Sequence, residues 1–157
     1  MKTAICTLYE GHYHFGLAAL LNSLYKKGFE GVVYAGYRGE LPFWASSKSN
    51  KADLNVFGSC DKQQLGDAME VVFIPLKTDY HFTNYKPDFM LELWYGPAAW
   101  AEAMVYMDPD IVISMNWSMF NEWFEHGIAL CEDINSPVHE FHPKRDAWRK
   151  YYAKYGK

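Results

Sequence analysis

Several segments of this chain are apolar without a break, and helix-like segments lie between them. Ala4 to Leu8, Gly31 to Tyr37, Glu70 to Leu76 and Met104 to Met107 are short, β-rich and not alternating. A strand that is apolar on successive residues is covered on both faces, which is the condition of a parallel sheet inside an α/β fold. Phe15 to Lys27 reads as a helix, because Leu17, Leu20, Leu21 and Leu24 form the i, i+3, i+4, i+7 stripe. Lys26 and Lys27 suit its negative end, and Gly28 suits a left-handed cap. Asn84 to Leu93 is a second helix, with Pro87 in its first turn and Gly96-Pro97 after its end. Trp117 to His126 and Pro143 to Lys154 also read as helices, the last capped by Gly156, and Ile128 to Cys131 as a fifth strand. Leu41 to Ser59, broken by Pro42 and the polar run Ser46 to Lys51, reads mostly as loop. The pattern predicts one α/β domain: a mostly parallel sheet with helices on both faces.

Composition narrows the partners. The chain has 157 residues and a formal net charge of -4, and its short basic groups, Lys26-Lys27 and Lys144-Arg145, offer no footprint for nucleic acid or an anionic membrane. Cys6, Cys60 and Cys131 are odd in number and widely spaced, which argues against a disulfide framework or a zinc knuckle and for reduced thiols. The opening apolar stretch stops at Glu10, too soon for a leader or a membrane span, so the expected location is the cytoplasm. Aromatic residues make up 18% of the chain, and most of them are expected in the core.

In parallel α/β sheets, ligands sit beyond the carboxyl ends of the strands. Two segments occupy such ends: the loop Tyr9 to His14, and Asp108-Pro109-Asp110, which follows Met104 to Met107 and precedes Ile111 to Ile113. If the backbone stays extended there, Asp108 and Asp110 point the same way and can face one ion. Two carboxylates inside an apolar run need partners, and hard oxygen ligands suit Mg²⁺ or Mn²⁺, which leave coordination positions open for phosphate oxygens. The plain alternative is a surface turn, for which Asp-Pro-Asp is well suited.

The segment MVYMDPDIVI resembles the DxD motif of GT-A glycosyltransferases, and ICTLYEGHYHFGLAALLNSLYKKGFEGVVYAG is similar to the opening strand, loop and helix of that superfamily, closest to glycosyltransferase family 8. The ending Ser23-Leu24 matches that helix, whereas Glu10-Gly11 departs from the aspartates usual in the loop. The resemblance implies a Rossmann-like GT-A fold and transfer of a sugar from a nucleoside-diphosphate donor, with UDP the expected nucleotide. It implies that Asp108 and Asp110 hold Mn²⁺ or Mg²⁺, and that Thr7, Glu10, His12, Tyr13, Lys86 and Asp108 form the nucleotide-sugar site. Within that site Glu10 would accept from the base, Tyr13 would stack on it and Lys86 would reach the phosphates. No catalytic base is assigned. The resemblance covers the donor-binding half of such a domain and implies a chain truncated before the acceptor half, with sheet edges that favour self-association.

Other readings stay open. His12 and His14 suggest a metal site, but no third ligand accompanies them. Asp88 reads equally as an acid at a helix start. Glu132-Asp133, His139 and His142 read as loop residues. Asp108-x-Asp110-x-Val112 also fits the haloacid-dehalogenase pattern, in which the first Asp accepts a phosphoryl group, but that class places it on the first core strand and three strands precede it here. A catalytically incomplete nucleotide-sugar-binding subunit is the non-enzymatic alternative.

Overall fold

The computed structural model describes residues 1–130 and 143–155, in two compact units, Met1–Glu125 and His126–Lys157. In the first unit the order is β1 (Thr3–Glu10), a 3-10 turn (Gly11–Tyr13), α1 (His14–Lys26), β2 (Gly31–Arg38) and α2 (Phe43–Ser46). It continues with β3 (Asn50–Leu54), β4 (Gly58–Leu65), β5 (Met69–Pro75), α3 (Phe82–Trp94) and β6 (Ala103–Tyr106). A 3-10 turn (Trp117–Phe120) and the one-turn helix α4 (Asn121–Phe124) close it. In the second unit the described element is α5 (Pro143–Tyr155), which carries an Asp146–Lys150 ion pair at 2.8 Å one helical turn apart.

The described strands form one sheet in the order β3-β4-β5-β2-β1-β6. The four strands expected from their unbroken apolar runs, β5, β2, β1 and β6, pair in parallel. Their side chains divide into two cores. Ile5, Val33, Val71 and Phe73 face the α1 stripe of Leu17, Leu20, Leu21 and Leu24. Ala4, Cys6, Leu8, Tyr34, Val72 and Ile74 face Phe89 and Leu93 of α3. Helices therefore cover both faces, and each fully buried leucine of α1 contributes about 1.5–3 kcal/mol.

The sheet is mixed: its β5-β2-β1-β6 part is parallel as expected, and β3 and β4 extend it with antiparallel pairings. Leu41 to Ser59 is not mostly loop: it holds α2 and β3, and β3 and β4 add antiparallel strands on the β5 side. These strands are polar in sequence because they cover little core. Asp61, buried on β4, is held by Ser49 Oγ at 3.0 Å and Lys51 Nζ at 2.7 Å, so local ion pairing stands in for apolar burial. Other boundaries moved as well. Helix α3 starts before Asn84, so Pro87 sits inside it and cannot donate to the Thr83 carbonyl. Trp117 to His126 is a 3-10 turn plus one α-turn, with Trp117 buried against Phe29. No strand forms at 111–113 or at 128–130. Cys131, Glu132, Asp133, His139, His142 and the Gly156 cap lie outside the described residues.

Cys6 and Cys60 are buried free thiols. Among the described residues no helix is long and apolar enough to cross a membrane.

Candidate functional site

The parallel register brings three chain segments to one place. β6 pairs with β1 through Cys6↔Tyr106, and the Met107 N–H extends that pairing to the Cys6 carbonyl at 3.0 Å. The Asp108-Pro109-Asp110 segment thus leaves the sheet beside the carboxyl end of β1. Helix α3, which follows β5, crosses the same end and packs on β1 and β6. Between them lies a cleft of about 330 Å³, lined by Leu8, Tyr9, Glu10 and Tyr13, by His81, Phe82, Thr83 and Lys86, and by Tyr106, Asp108, Pro109 and Asp110. This is where an α/β sheet places ligands.

The Asp-Pro-Asp segment is a turn, not extended strand. The Ile111 N–H donates to the Asp108 carbonyl at 3.1 Å, Pro109 is buried, and both aspartates are exposed. Two expectations fall with this. The two carboxylates do not share a face by strand alternation, and burial does not force a counter-ion on them, because both reach solvent. They share the cleft because the turn wraps one wall of it. Ile111 and Val112 are exposed, and Ile113 alone of the following three is buried. The Ile113 N–H donates to Ser23 Oγ at 3.0 Å, while that hydroxyl donates to the Leu20 carbonyl at 2.8 Å. Ser23 of α1 therefore anchors the chain just beyond the turn.

Helix α1 also meets the turn directly. A Cβ on Gly16 would lie 3.1 Å from the Asp110 Cα. Gly16 is in the first turn of α1, whose free N–H groups and positive dipole end favour a carboxylate nearby.

The expected residues separate into those that reach the cleft and those that do not. Lys86 donates to Asp108 Oδ1 at 2.6 Å, and its ammonium sits 4.6 Å from the centre of the Tyr106 ring. The Asp108 side chain is 51% exposed, so this pair is screened and weak. Burial pushes the Tyr106 phenol up, and the charge of Asp108 adds to the shift. Glu10, Tyr13 and Asp110 also line the cleft. Thr7 does not: it is fully buried within β1, and its hydroxyl has no hydrogen-bond partner among the described residues. His12 does not line it either, and its ring stacks on Tyr13 at 5.0 Å. His14 Nδ1 accepts from Trp44 Nε1 at 3.3 Å, which ties that nitrogen to protein rather than to a metal.

Arg38, His81 and Tyr106 went unread in the sequence. His81 caps α3, its Nδ1 accepting from the Thr83 N–H at 3.3 Å. Arg38 pairs with Glu10, its Nη2 2.7 Å from Oε2. Tyr106 had a legible signal, since it stands two residues before Asp108 at a strand end. Arg38 had none, because its partner is set by the register of two parallel strands.

Whether the cleft suits a divalent cation can be judged from its donors. Among the described residues no three His, Cys, Asp or Glu side chains cluster as a metal site. Asp108 and Asp110 offer two carboxylates, and Lys86 donates to Oδ1 of Asp108. One or two carboxylates completed by phosphate oxygens and water is a normal set for Mg²⁺ or Mn²⁺ in a nucleotide site. The donor set fits such an ion when a diphosphate accompanies it. No known protein family matches the chain, and neither a curated protein nor a solved structure does.

Proposed function

We propose that this cleft is the donor site of a GT-A-type glycosyltransferase and holds a nucleoside-diphosphate sugar, UDP being the expected nucleotide. One observation carries the reading. Glu10, Tyr13, Lys86, Asp108 and Asp110, drawn from three separate segments, line one cleft at the carboxyl ends of parallel strands. The motif resemblance supplies the chemistry, and the α/β sheet with its parallel strands is compatible with it.

In this reading each residue has a defined task. Tyr13, exposed on the rim, stacks on the base, and Glu10 accepts a hydrogen bond from it. Lys86 leaves Asp108 for the diphosphate and neutralises part of its charge. Asp108 and Asp110 would hold Mn²⁺ or Mg²⁺, and such an ion would supply Lewis-acid stabilisation of the diphosphate's negative charge.

The test is thermal stabilisation by UDP with Mn²⁺ at millimolar concentrations. A ligand at about a hundred times its Kd stabilises by about 2.7 kcal/mol, well within detection. Asp108→Ala is expected to abolish the shift. No shift in the wild-type protein with any nucleoside diphosphate removes the reading. The aspartyl-phosphate alternative has against it that Asp108 follows β6, the edge strand. Turnover of a phosphomonoester with a trapped aspartyl phosphate would revive it.

A further inference from the structure

We propose that Arg38, which does not line the cleft, is its positioning residue: it clamps one oxygen of Glu10 and leaves the other for a hydrogen-bond donor on the ligand.

The argument starts from register. β1 and β2 are parallel, and Glu10 and Arg38 are Cα partners at their carboxyl ends. Arg38 Nε and Nη2 both reach Glu10 Oε2, at 3.0 and 2.7 Å. Its Nη1 donates to the Thr78 carbonyl at 3.3 Å and to the Tyr80 carbonyl at 3.2 Å. The guanidinium carbon lies 4.3 Å from the centre of the Phe82 ring, at the first residue of α3. One planar group thus joins the end of β1, the connection after β5 and the start of α3. Lysine cannot replace it, because an ammonium donates from a single point and does not stack as a plane.

Glu10 and Phe82 line the cleft, and so do His81 and Thr83 on either side of Phe82. Arg38 therefore sets the separation of two cleft walls without touching what lies between them. Glu10 Oε2 takes both Arg38 bonds, while Oε1 has no hydrogen bond to any described residue. An ionised carboxylate is acceptor-only, so the ligand edge that meets Oε1 has to present an N–H or O–H. An imide N–H such as that of uracil satisfies this, and an N-methylated ring does not.

This inference rests on the donor-site reading for its ligand, so the test has one arm with ligand and one without. In the first, UDP, N3-methyl-UDP and inorganic pyrophosphate are titrated by calorimetry with Mn²⁺ present. Wild-type protein is expected to prefer UDP over the methylated compound by about tenfold, the scale of one hydrogen bond to a charged acceptor. Arg38→Met and Arg38→Lys are expected to bring that ratio near one and to leave pyrophosphate affinity within about twofold, since Lys86 is untouched. A ratio unchanged in both variants, or UDP and pyrophosphate weakened equally, overturns the role assigned to Arg38. In the second arm, amide hydrogen exchange is followed across residues 76–85 without ligand. Both variants are expected to exchange faster there than wild type, with the α1 and β1 amides unchanged. Wild-type exchange in both variants overturns the clamp. If wild-type protein binds neither UDP nor pyrophosphate, the donor-site reading fails, and the exchange arm alone decides the clamp.

Discussion

A Cβ placed on Gly16 would lie 2.8 Å from the carbonyl oxygen of Pro109, closer than real side chains come to backbone. The first turn of α1 and the Asp-Pro-Asp turn are therefore in backbone contact, and that contact sets where the two carboxylates stand.

Gly16→Ala is expected to displace the turn rather than unfold the sheet. Alanine suits a helix better than glycine by about 1 kcal/mol, which offsets part of the steric cost. The expected result is a small change in urea midpoint with a loss of about tenfold or more in Mn²⁺-dependent UDP affinity. Unchanged affinity, measured by calorimetry, would show that the turn moves without consequence.

Ser23→Ala removes the acceptor of a buried N–H. The Ile113 N–H would lose its hydrogen bond, at a cost of about 1–3 kcal/mol, and the chain after Asp110 would lose its polar anchor to α1. Chemical denaturation is expected to show the destabilisation, and amide exchange at 111–114 is expected to rise first. Ser23→Thr, which keeps the hydroxyl, should recover part of it.

Lys86→Met separates two roles of one side chain. Lys86 now occupies Asp108 Oδ1, an exchange-ready pair worth up to about 1 kcal/mol at this exposure. Its removal is expected to tighten Mn²⁺ alone by up to about fivefold, because a competing cation is gone. The same change is expected to weaken pyrophosphate by about tenfold, because the phosphate loses its lysine. Manganese binding is read by electron paramagnetic resonance and pyrophosphate by calorimetry. Both affinities moving in the same direction would contradict the assignment.

Alkaline pH should destabilise the fold through groups that are buried neutral. Burial pushes the Cys6 thiol up to about 12 from an ordinary value of 9.0. The folded-state value lies above the unfolded one, so the stability from the neutral thiol is complete below pH 9.0 and is lost as pH rises toward about 12. In that window the unfolded state binds fewer protons, giving a fall of about 1.4 kcal/mol per pH unit for this one group. Tyr9 and Tyr106, also raised by burial, act in the same direction. Urea midpoints are expected to show no contribution from these groups between pH 7 and 8 and to fall between pH 9 and 11. Cys6→Ala should flatten the slope by about one proton.

Much of the sheet was legible because burial on both faces leaves a local mark. β1, β2 and β5 are largely apolar on consecutive residues and buried, β6 is apolar but half-buried at the sheet edge, and α1 shows its stripe. The β3–β4 strands were not legible. Their sequences, NKADL and GSCDKQQL, are polar, and they are strands because β5 offers an edge to pair with and Asp61 finds Ser49 and Lys51. The helical start at Phe82 was hidden for a related reason: the His81 cap and the packing of Phe82 under Arg38 are not periodic signals.

What the sequence determined by itself was the set of parallel strands, the leucine face of α1 and the position of Asp108-Pro109-Asp110 at a strand's carboxyl end. Each is carried by residues near in the chain, and periodicity and turn chemistry read such neighbours directly. Only the tertiary structure decided that the segment is a turn, that Gly16 backs it, that Lys86 meets Asp108 and that Arg38 holds Glu10. Those contacts join residues on different elements, and their distances follow from strand register and helix packing, which no local pattern of residues encodes.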